Sequence, residues 1–369
     1  MSLSIREFIL TAKVIDIVRR DGMFSFRQKL NPLNQRRLNV FFANNRAKWS
    51  LWIFLTLFTL SLFAELIANS KPLLVMYDGK VHVPVLIHYP ETTFGGDFDT
   101  EADYTDEYVS ELINAKGRML WPPIPYSYNT HIANLEHPAP SPPTRNNWLG
   151  TDDQARDVAA RVIYGFRVSI LFALALTIGS CVIGVLVGAI QGYFGGKTDL
   201  IGQRVLEIWG GLPVLFLLII MANILTPNFW WLLGIMLLFS WTALVDVVRA
   251  EFLRGRNLDY VRAAKALGVP DRKIMARHIL PNAMVATITL VPFILTGAVT
   301  TLTALDFLGF GMPPGSPSLG ELVAQGKSNL QAPWLALAAF TVLAALLTLL
   351  VFIGEGIRDA FDPRLVTQP

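Results

Sequence analysis

Cysteine, histidine and charge are all scarce in this chain. Its one cysteine, Cys181, excludes an internal disulfide and, lying in an apolar run, reads as a packed core thiol. The five histidines, His82, His88, His131, His137 and His278, lack the paired helical spacing of a metal site, so no metal is assigned. No phosphate-binding loop of the form Gly-x-x-x-x-Gly-Lys-Ser/Thr occurs, and the chain itself should hydrolyse nothing and hold no cofactor. Charged residues make up only 16% of the sequence and the formal net charge is +3, too small and too dispersed for nucleic-acid binding.

Apolar residues take up the difference, at 53% of the total and a mean hydropathy of +0.44. A single soluble core could not hide that much apolar surface, so lipid has to cover part of it. A membrane helix needs about 20 mostly apolar residues to cross a hydrocarbon layer of roughly 30 Å. Six stretches meet this: 49–68, 168–190, 205–225, 229–248, 284–306 and 334–354. The expectation is an all-α integral membrane protein with six transmembrane helices. The first run follows a basic tail, residues 1–48, and no small-residue cleavage site comes after it, so it reads as a retained anchor. The third and fourth runs are joined only by Thr226, Pro227 and Asn228, which predicts an antiparallel hairpin. Pro213 and Pro292 fall inside runs, where each predicts a kink.

Lys and Arg near span ends orient such a chain. Arg27, Lys29, Arg36, Arg37, Arg46 and Lys48 precede the first run. Arg249, Arg254, Arg256, Arg262, Lys265, Arg272, Lys273 and Arg277 lie between the fourth and fifth. Both clusters should be cytoplasmic, which puts both termini, including the tail 355–369, inside and the loop 69–167 outside. That loop is acidic over 97–111 and too long for an ordinary connection, so it should be a folded insert. Leu74 to Val83, with Asp78-Gly79 at its centre, reads as a β-hairpin. The proline-rich stretch 138–143 reads as an extended linker. Residues 157–167 read as an amphipathic helix on the outer surface, with Val158, Val162 and Ile163 on its apolar side.

The cytoplasmic loop 257–282 carries the most information. Asp259, Tyr260, Arg262, Ala263, Ala264 and Lys265 favour a helix, Gly268 supplies a turn, Pro270 opens a second helix, and Pro281 should end it after Ile279-Leu280. The small side chains of Ala263, Ala264 and Gly268, beside charged Arg262 and Lys265, would let another protein approach the backbone closely. The plainer alternative is a solvated linker whose alanines reflect helix propensity. Elsewhere, Asp246 and Arg249 should form a local ion pair near the inner end of the fourth run, and Glu207 and Asp306 should be interfacial. Gly184, Gly188 and Gly192 form a small-residue stripe for close helix packing, and Trp230, Trp231 and Trp334 are placed as interfacial anchors.

Ala263-Ala264, Gly268 and Ile279-Leu280-Pro281, at this spacing and before the penultimate span, resemble the EAA loop of ABC-importer permeases. Arg262 stands where that family has its name-giving Glu. Trp148-Leu149-Gly150-Thr151-Asp152, Arg156-Asp157, Arg161, Tyr164-Gly165, Arg167 and Ser169 are similar to the signature of C-type permeases of dipeptide, oligopeptide and nickel importers, with Ala155 where a Gly is usual. Leu308-Gly309-Phe310-Gly311 and Pro317-Ser318-Leu319-Gly320 resemble the same group. The run from Trp49 to Phe54, the exit Glu65 to Asn69, the long insert and the segment from Asn329 to Trp334 are most similar to the YejE-type permeases, associated with import of microcin C and other peptides. The likeness runs from about residue 45 to 364. The first 20 or so residues match nothing in that group, and Met23 is an alternative start.

The resemblance implies a type I ABC-importer permease fold with a five-helix core, 168–354. It also implies a translocation path shared with a second permease, and coupling through the loop around Gly268 to two nucleotide-binding domains that bind ATP and Mg. Delivery of peptide by a periplasmic binding protein, at the bacterial inner membrane, completes the picture. Two other classes are open to the residues alone. A secondary transporter independent of ATP would show inverted repeats and polar broken helices. A membrane hydrolase would need a base near Ser169, Ser180 or Ser240, and no histidine is placed for it.

Overall fold

The computed structural model describes residues 31–224 and 228–362, with the side chains of residues 222 and 223 left aside. Asn31 caps helix α1 (Pro32–Ala43) and Asn44 caps α2 (Asn45–Leu62), its side chain accepting from the Arg46 and Ala47 amides. After a break at Phe63 comes the short α3 (Ala64–Ile67). The insert then precedes a helical core made of α5 (Val158–Phe194), α6 (Gly196–Gly210), α7 (Val214–Ile224), α8 (Phe229–Ser240), α9 (Thr242–Gly255), α12 (Leu280–Phe307) and α14 (Pro333–Phe361).

Four helices among the described residues are long and apolar enough to cross a membrane: Val158–Phe194, Phe229–Gly255, Asp271–Phe307 and Pro333–Phe361. A fifth is added if α6 and α7, bent by 61°, count as one span. The expected first span is not among them, because α2 opens with Asn45, Arg46 and Lys48 and breaks at Phe63. The bend between α6 and α7 falls at Pro213, where a kink is expected. Pro292, in contrast, lies inside the unbroken α12. Thr226 and Pro227 of the expected hairpin turn lie outside the described residues, while Asn228 caps α8 by accepting from the Trp231 amide at 2.8 Å. The basic tail's Arg27 and Lys29 also lie outside them.

Residues 157–167 do not form a separate surface helix. Asp157 caps the start of α5, accepting from the Ala160 amide at 2.8 Å, and the helix runs on without interruption to Phe194. Val158 and Val162 are buried, because this end of α5 is part of the main helical core instead of lying on a lipid surface.

The stripe of small residues on α5 does what its spacing suggests. A Cβ on Gly184 would come within 2.8 Å of the Trp241 carbonyl, on Gly188 within 2.8 Å of the Val245 carbonyl, and on Gly192 within 2.5 Å of the Arg249 carbonyl. Helix α9 therefore lies against the bare backbone of α5. Beside this seam Ser180 and Ser240 pair through their hydroxyls at 2.5 Å. The main core joins Phe172, Leu176, Val299, Leu302, Leu335 and Leu346 from α5, α12 and α14.

The insert departs from an all-α fold. Strands β1 (Leu74–Tyr77) and β2 (Lys80–His82) form the expected hairpin, with Asp78 at φ 48° and Gly79 at φ 73° in its turn. A third strand, β3 (Gly117–Leu120), pairs antiparallel with β1 to give the order β2-β1-β3. Helix α4 (Glu107–Lys116), capped by Asp106, and the 3-10 turn Glu91–Phe94 close one side, burying Val75, Phe94, Tyr104, Val109 and Ile113. The proline-rich stretch is an ordered connection, since the Ser141 amide donates to Thr151 Oγ1 at 2.9 Å.

Gly188→Leu should drive α5 and α9 apart at a cost on the order of 1–3 kcal/mol. Thermal unfolding of the purified variant in detergent would read this as a lowered midpoint.

Candidate functional site

Helix α10 (Asp259–Ala266) begins after Leu258, with Asp259 in its first turn facing the positive end of the helix dipole. Its end is a Schellman turn: the Val269 amide donates to the Ala264 carbonyl at 3.1 Å and the Gly268 amide to the Lys265 carbonyl at 3.0 Å. Gly268 takes φ +75°, a left-handed conformation that favours glycine. Val261 and Ala264, three apart, share the inner face and are buried against Phe252, Ile274 and Ile279. Ala264 is thus not part of an accessible small-residue face, contrary to the sequence expectation. The outward face consists of Tyr260, Arg262, Ala263, Lys265, Gly268 and also Leu267, which is 84% exposed.

The second half of this hairpin starts with α11 (Asp271–Lys273) and passes through one π-helical stretch, Ile274–Ile279, directly into α12. Pro281 does not end the helix, as the sequence suggests it should. The Leu280 amide reaches back to the Met275 carbonyl, and this widened turn lets proline, which lacks a donor, sit in the first turn of α12. Ile279 is buried in the space left by Gly255, whose added Cβ would meet Ile279 Cγ2 at 2.9 Å. Tyr260 ties the two halves together: its hydroxyl donates to the His278 carbonyl at 3.3 Å and accepts from Asn282 Nδ2 at 3.2 Å. The hairpin is pinned to the C-terminal end of α5, where the Tyr193 hydroxyl donates to Asp271 and Arg256 donates to the Tyr193 carbonyl. Pro281 also lines a cavity of about 510 Å³ between α1, α12 and α14, with Arg37, Phe41, Ile357 and Phe361.

Close by, Arg249 does not form the expected local pair with Asp246. It holds Asp199 of α6 through two of its nitrogens, while Asp246 accepts only from Gln203, at 3.5 Å. A carboxylate across the gap can align with both arms of the guanidinium, which a residue one turn back on the same helix cannot do as well. Glu207 is exposed and pairs with Arg204 at 2.6 Å.

A second cluster lies at the opposite end of α5. Arg156 Nε donates to Asp152 Oδ2 at 2.7 Å, and its other arm reaches Glu321 Oε1 at 3.3 Å. Arg161 donates to Glu321 Oε2 at 2.9 Å and to the Ser316 carbonyl at 3.0 Å. Asp152, Arg156 and Arg161 are buried. Glu321 belongs to helix α13 (Leu319–Ser328), capped by Ser318, whose hydroxyl donates in turn to Asp306 Oδ2 at 2.5 Å. Asp306 also accepts from the Met312 amide at 2.7 Å, so it anchors a loop and is not merely interfacial. Gly311 is required there, since a Cβ would lie 1.8 Å from Asp306 Oδ1. Trp334 likewise does more than anchor: its indole N–H donates to the Thr151 carbonyl at 3.2 Å. Burial pushes the Asp157 and Asp153 carboxyls above the usual aspartate range.

Glu321 was not singled out from the sequence. Ser318-x-x-Glu321 is a capping-box pattern that marks the helix start, but nothing local announces two arginines more than 150 residues away. Leu267 is likewise not singled out by the sequence, which does not say to which side a residue at the helix end turns.

Removing one member of the buried cluster leaves the others uncompensated. Arg161→Met should cost on the order of 3 kcal/mol, and adding Glu321→Leu should restore part of it; a double-mutant cycle of unfolding midpoints checks both. Ala155 occupies φ +59° where the resembling signature carries glycine. Ala155→Gly should therefore stabilise the protein by about 1 kcal/mol, measured in the same unfolding assay.

A family described as binding-protein-dependent transport system inner membrane component matches residues 184–367. The chain is 58% identical over 362 residues to the peptidoglycan transport system permease protein YejE of Agrobacterium fabrum, covering 92% of this chain and 95% of that protein. It is 59% identical over 335 residues to the inner membrane ABC transporter permease protein YejE of Escherichia coli, covering 91% and 98%. The oligopeptide transport system permease protein OppC of Lactococcus lactis is 35% identical over 232 residues, covering 62% of this chain and 79% of that protein. With its helical core, hairpin and buried charge cluster in this setting, the chain belongs to the binding-protein-dependent transport system inner membrane component family, as an ABC-type permease of the peptide-import group.

Proposed function

We propose that the chain forms half of the translocation path of an ATP-driven importer in the bacterial inner membrane, paired with a second, related permease. In this reading α2 and α3 together are the first of six spans, the bent α6–α7 pair is the third, both termini are cytoplasmic and the insert is periplasmic. Two nucleotide-binding subunits supply ATP hydrolysis and bind Mg, and a periplasmic binding protein delivers the substrate. The chain itself is not catalytic. The substrate class is peptides or peptide-like compounds. The name of the Agrobacterium relative points to peptidoglycan material within that class, and the resemblance to YejE-type permeases adds microcin C-like compounds.

The observation that carries the reading is the outward face of α10. Ala263, Leu267 and Gly268 stand exposed on a short helix whose other face is buried, and Tyr260, Tyr193 and Arg256 brace it against α5 and α12. A braced projection with little side-chain bulk and one protruding leucine is suited to a cleft in another protein. ATP-driven closure of the nucleotide-binding subunits would pull on this hairpin and, through Ile279 and Asp271, on α12 and α5. Alternating access follows if those helices then move against the bent pair α6–α7.

Ala263→Glu should leave membrane insertion intact, lower the affinity for the nucleotide-binding subunits at least tenfold, and abolish uptake. Gly268→Asp should act in the same direction. Co-purification in mild detergent and peptide uptake into cells test both. Normal uptake by Ala263→Glu would overturn the coupling role, and uptake driven by a proton gradient without ATP would favour a secondary transporter.

A further inference from the structure

The insert has an uncovered apolar face. Alternation along β1 sends Val75 and Tyr77 inward against Phe94, and Leu74 and Met76 outward. The register places Val81 and Arg118 on either side of Met76, with Leu120 beside Leu74. Met76 is 56% exposed, Val81 60% and Leu120 56%. A sheet with one face in water would carry polar residues at those positions.

Charge is segregated across the insert. The strands and their flanks hold Lys80, Lys116 and Arg118, all exposed, against one carboxylate, Asp78 in the hairpin turn, whereas residues 97–111 contain Asp97, Asp99, Glu101, Asp103, Asp106, Glu107 and Glu111 and no lysine or arginine. Lys71 joins the two regions by pairing with Glu101, and His88 approaches the same carboxylate at 2.6 Å. These contacts hold Glu101 below the usual glutamate range.

The sheet is also tied closely to the end of the first helical segment. Ala68 bridges to Ile124, the Asn69 amide donates to the Ile124 carbonyl at 3.1 Å, and the Leu73 amide donates to the Leu120 carbonyl at 2.8 Å. From Ala68 to Leu74 the chain spans at most about 20 Å. Just before this, Leu60, Leu62, Phe63 and Leu66 are exposed along α2, the break at Phe63 and α3, so an apolar helix surface lies within that short reach of the sheet.

We propose that the face formed by Leu74, Met76, Val81 and Leu120 lies on the outer surface of the anionic phospholipid bilayer. The apolar side chains sit at the acyl boundary, Arg118, which shares the face of Met76, and Lys116 at the end of α4 meet the headgroups, and the acidic segment 97–111 turns toward water. Apolar area and basic charge on one side of a structure are the two terms that hold it at such an interface. The inference rests on the outward placement of the insert proposed above.

The test uses the full transporter with Cys181→Ala and a nitroxide at Met76→Cys or Asn114→Cys, in nanodiscs of phosphatidylethanolamine and phosphatidylglycerol. Collisions with oxygen should exceed those with a water-soluble nickel chelate several-fold at position 76, and the reverse should hold at position 114. Equal water exposure at the two positions would overturn the proposal. So would immobilisation of the Met76→Cys label only on addition of the binding protein, which would make the face a protein interface. An impermeant thiol reagent applied to spheroplasts separates the two readings: failure to label Asn114→Cys would refute the topology itself, whatever the nitroxide reports.

Discussion

Close approach between α5 and α9 constrains both functional ends of this molecule. Gly184, Gly188 and Gly192 let the carbonyls of Trp241, Val245 and Arg249 come within van der Waals reach of the α5 backbone. In lipid no hydrophobic driving force separates helix from solvent, so contact area and backbone proximity have to supply the association. Because α9 leads through Gly255 into α10, its placement on α5 also fixes where the exposed hairpin emerges. The same constraint puts Arg249 opposite Asp199, and so sets the position of α6.

The electrostatics of the two ends differ in kind. At the end where α5 begins, Arg156 and Arg161 are buried and share Asp152 and Glu321, and their desolvation is offset only because each guanidinium has a carboxylate within reach. Such a cluster specifies one arrangement of the segment before α5 against α13. At the other end the hairpin's own basic residues, Arg262, Lys265, Arg272, Lys273 and Arg277, are exposed, and its contacts are apolar packing and a few hydrogen bonds from Tyr193, Tyr260 and Arg256. A rigid, buried joint at one end and a more lightly held projection at the other agree with the proposed docking of a partner at the hairpin.

Much of this was legible in the sequence where a local rule decides the outcome. Apolar runs gave the helices, Asp78-Gly79 gave the hairpin turn, Gly268 gave the end of α10 and Pro213 gave the bend. The misses arise where partners are distant or where two local rules compete. Strand β3 depends on pairing with β1 some 40 residues earlier, and its four residues, Gly117 to Leu120, carry no distinctive pattern of their own. Arg249 had two acidic neighbours in principle, and only the packing of α6 decides for Asp199. Ala264 was readable: Val261 three residues before it marks the buried face of a short helix, and small size alone is no sign of exposure. Pro281 reads as a stop unless the chain spends one extra residue in a π turn, which the sequence does not announce.

Helix α5 has 37 residues, hence a length of about 55 Å at 1.5 Å per residue, well beyond a hydrocarbon layer of roughly 30 Å. It therefore carries the buried charge cluster at one end and Tyr193, bonded to Asp271 of the hairpin, at the other. A force applied at the hairpin cannot move one end of an intact helix without moving the other, so this shaft and its glycine-packed partner α9 would shift together. The compliant elements are elsewhere: the 61° break at Pro213 between α6 and α7, and the π turn that joins the hairpin to α12. Motion in a permease built this way would be concentrated at those two irregularities, where backbone hydrogen bonds are already displaced, and the α5–α9 pair would serve as the frame against which they bend.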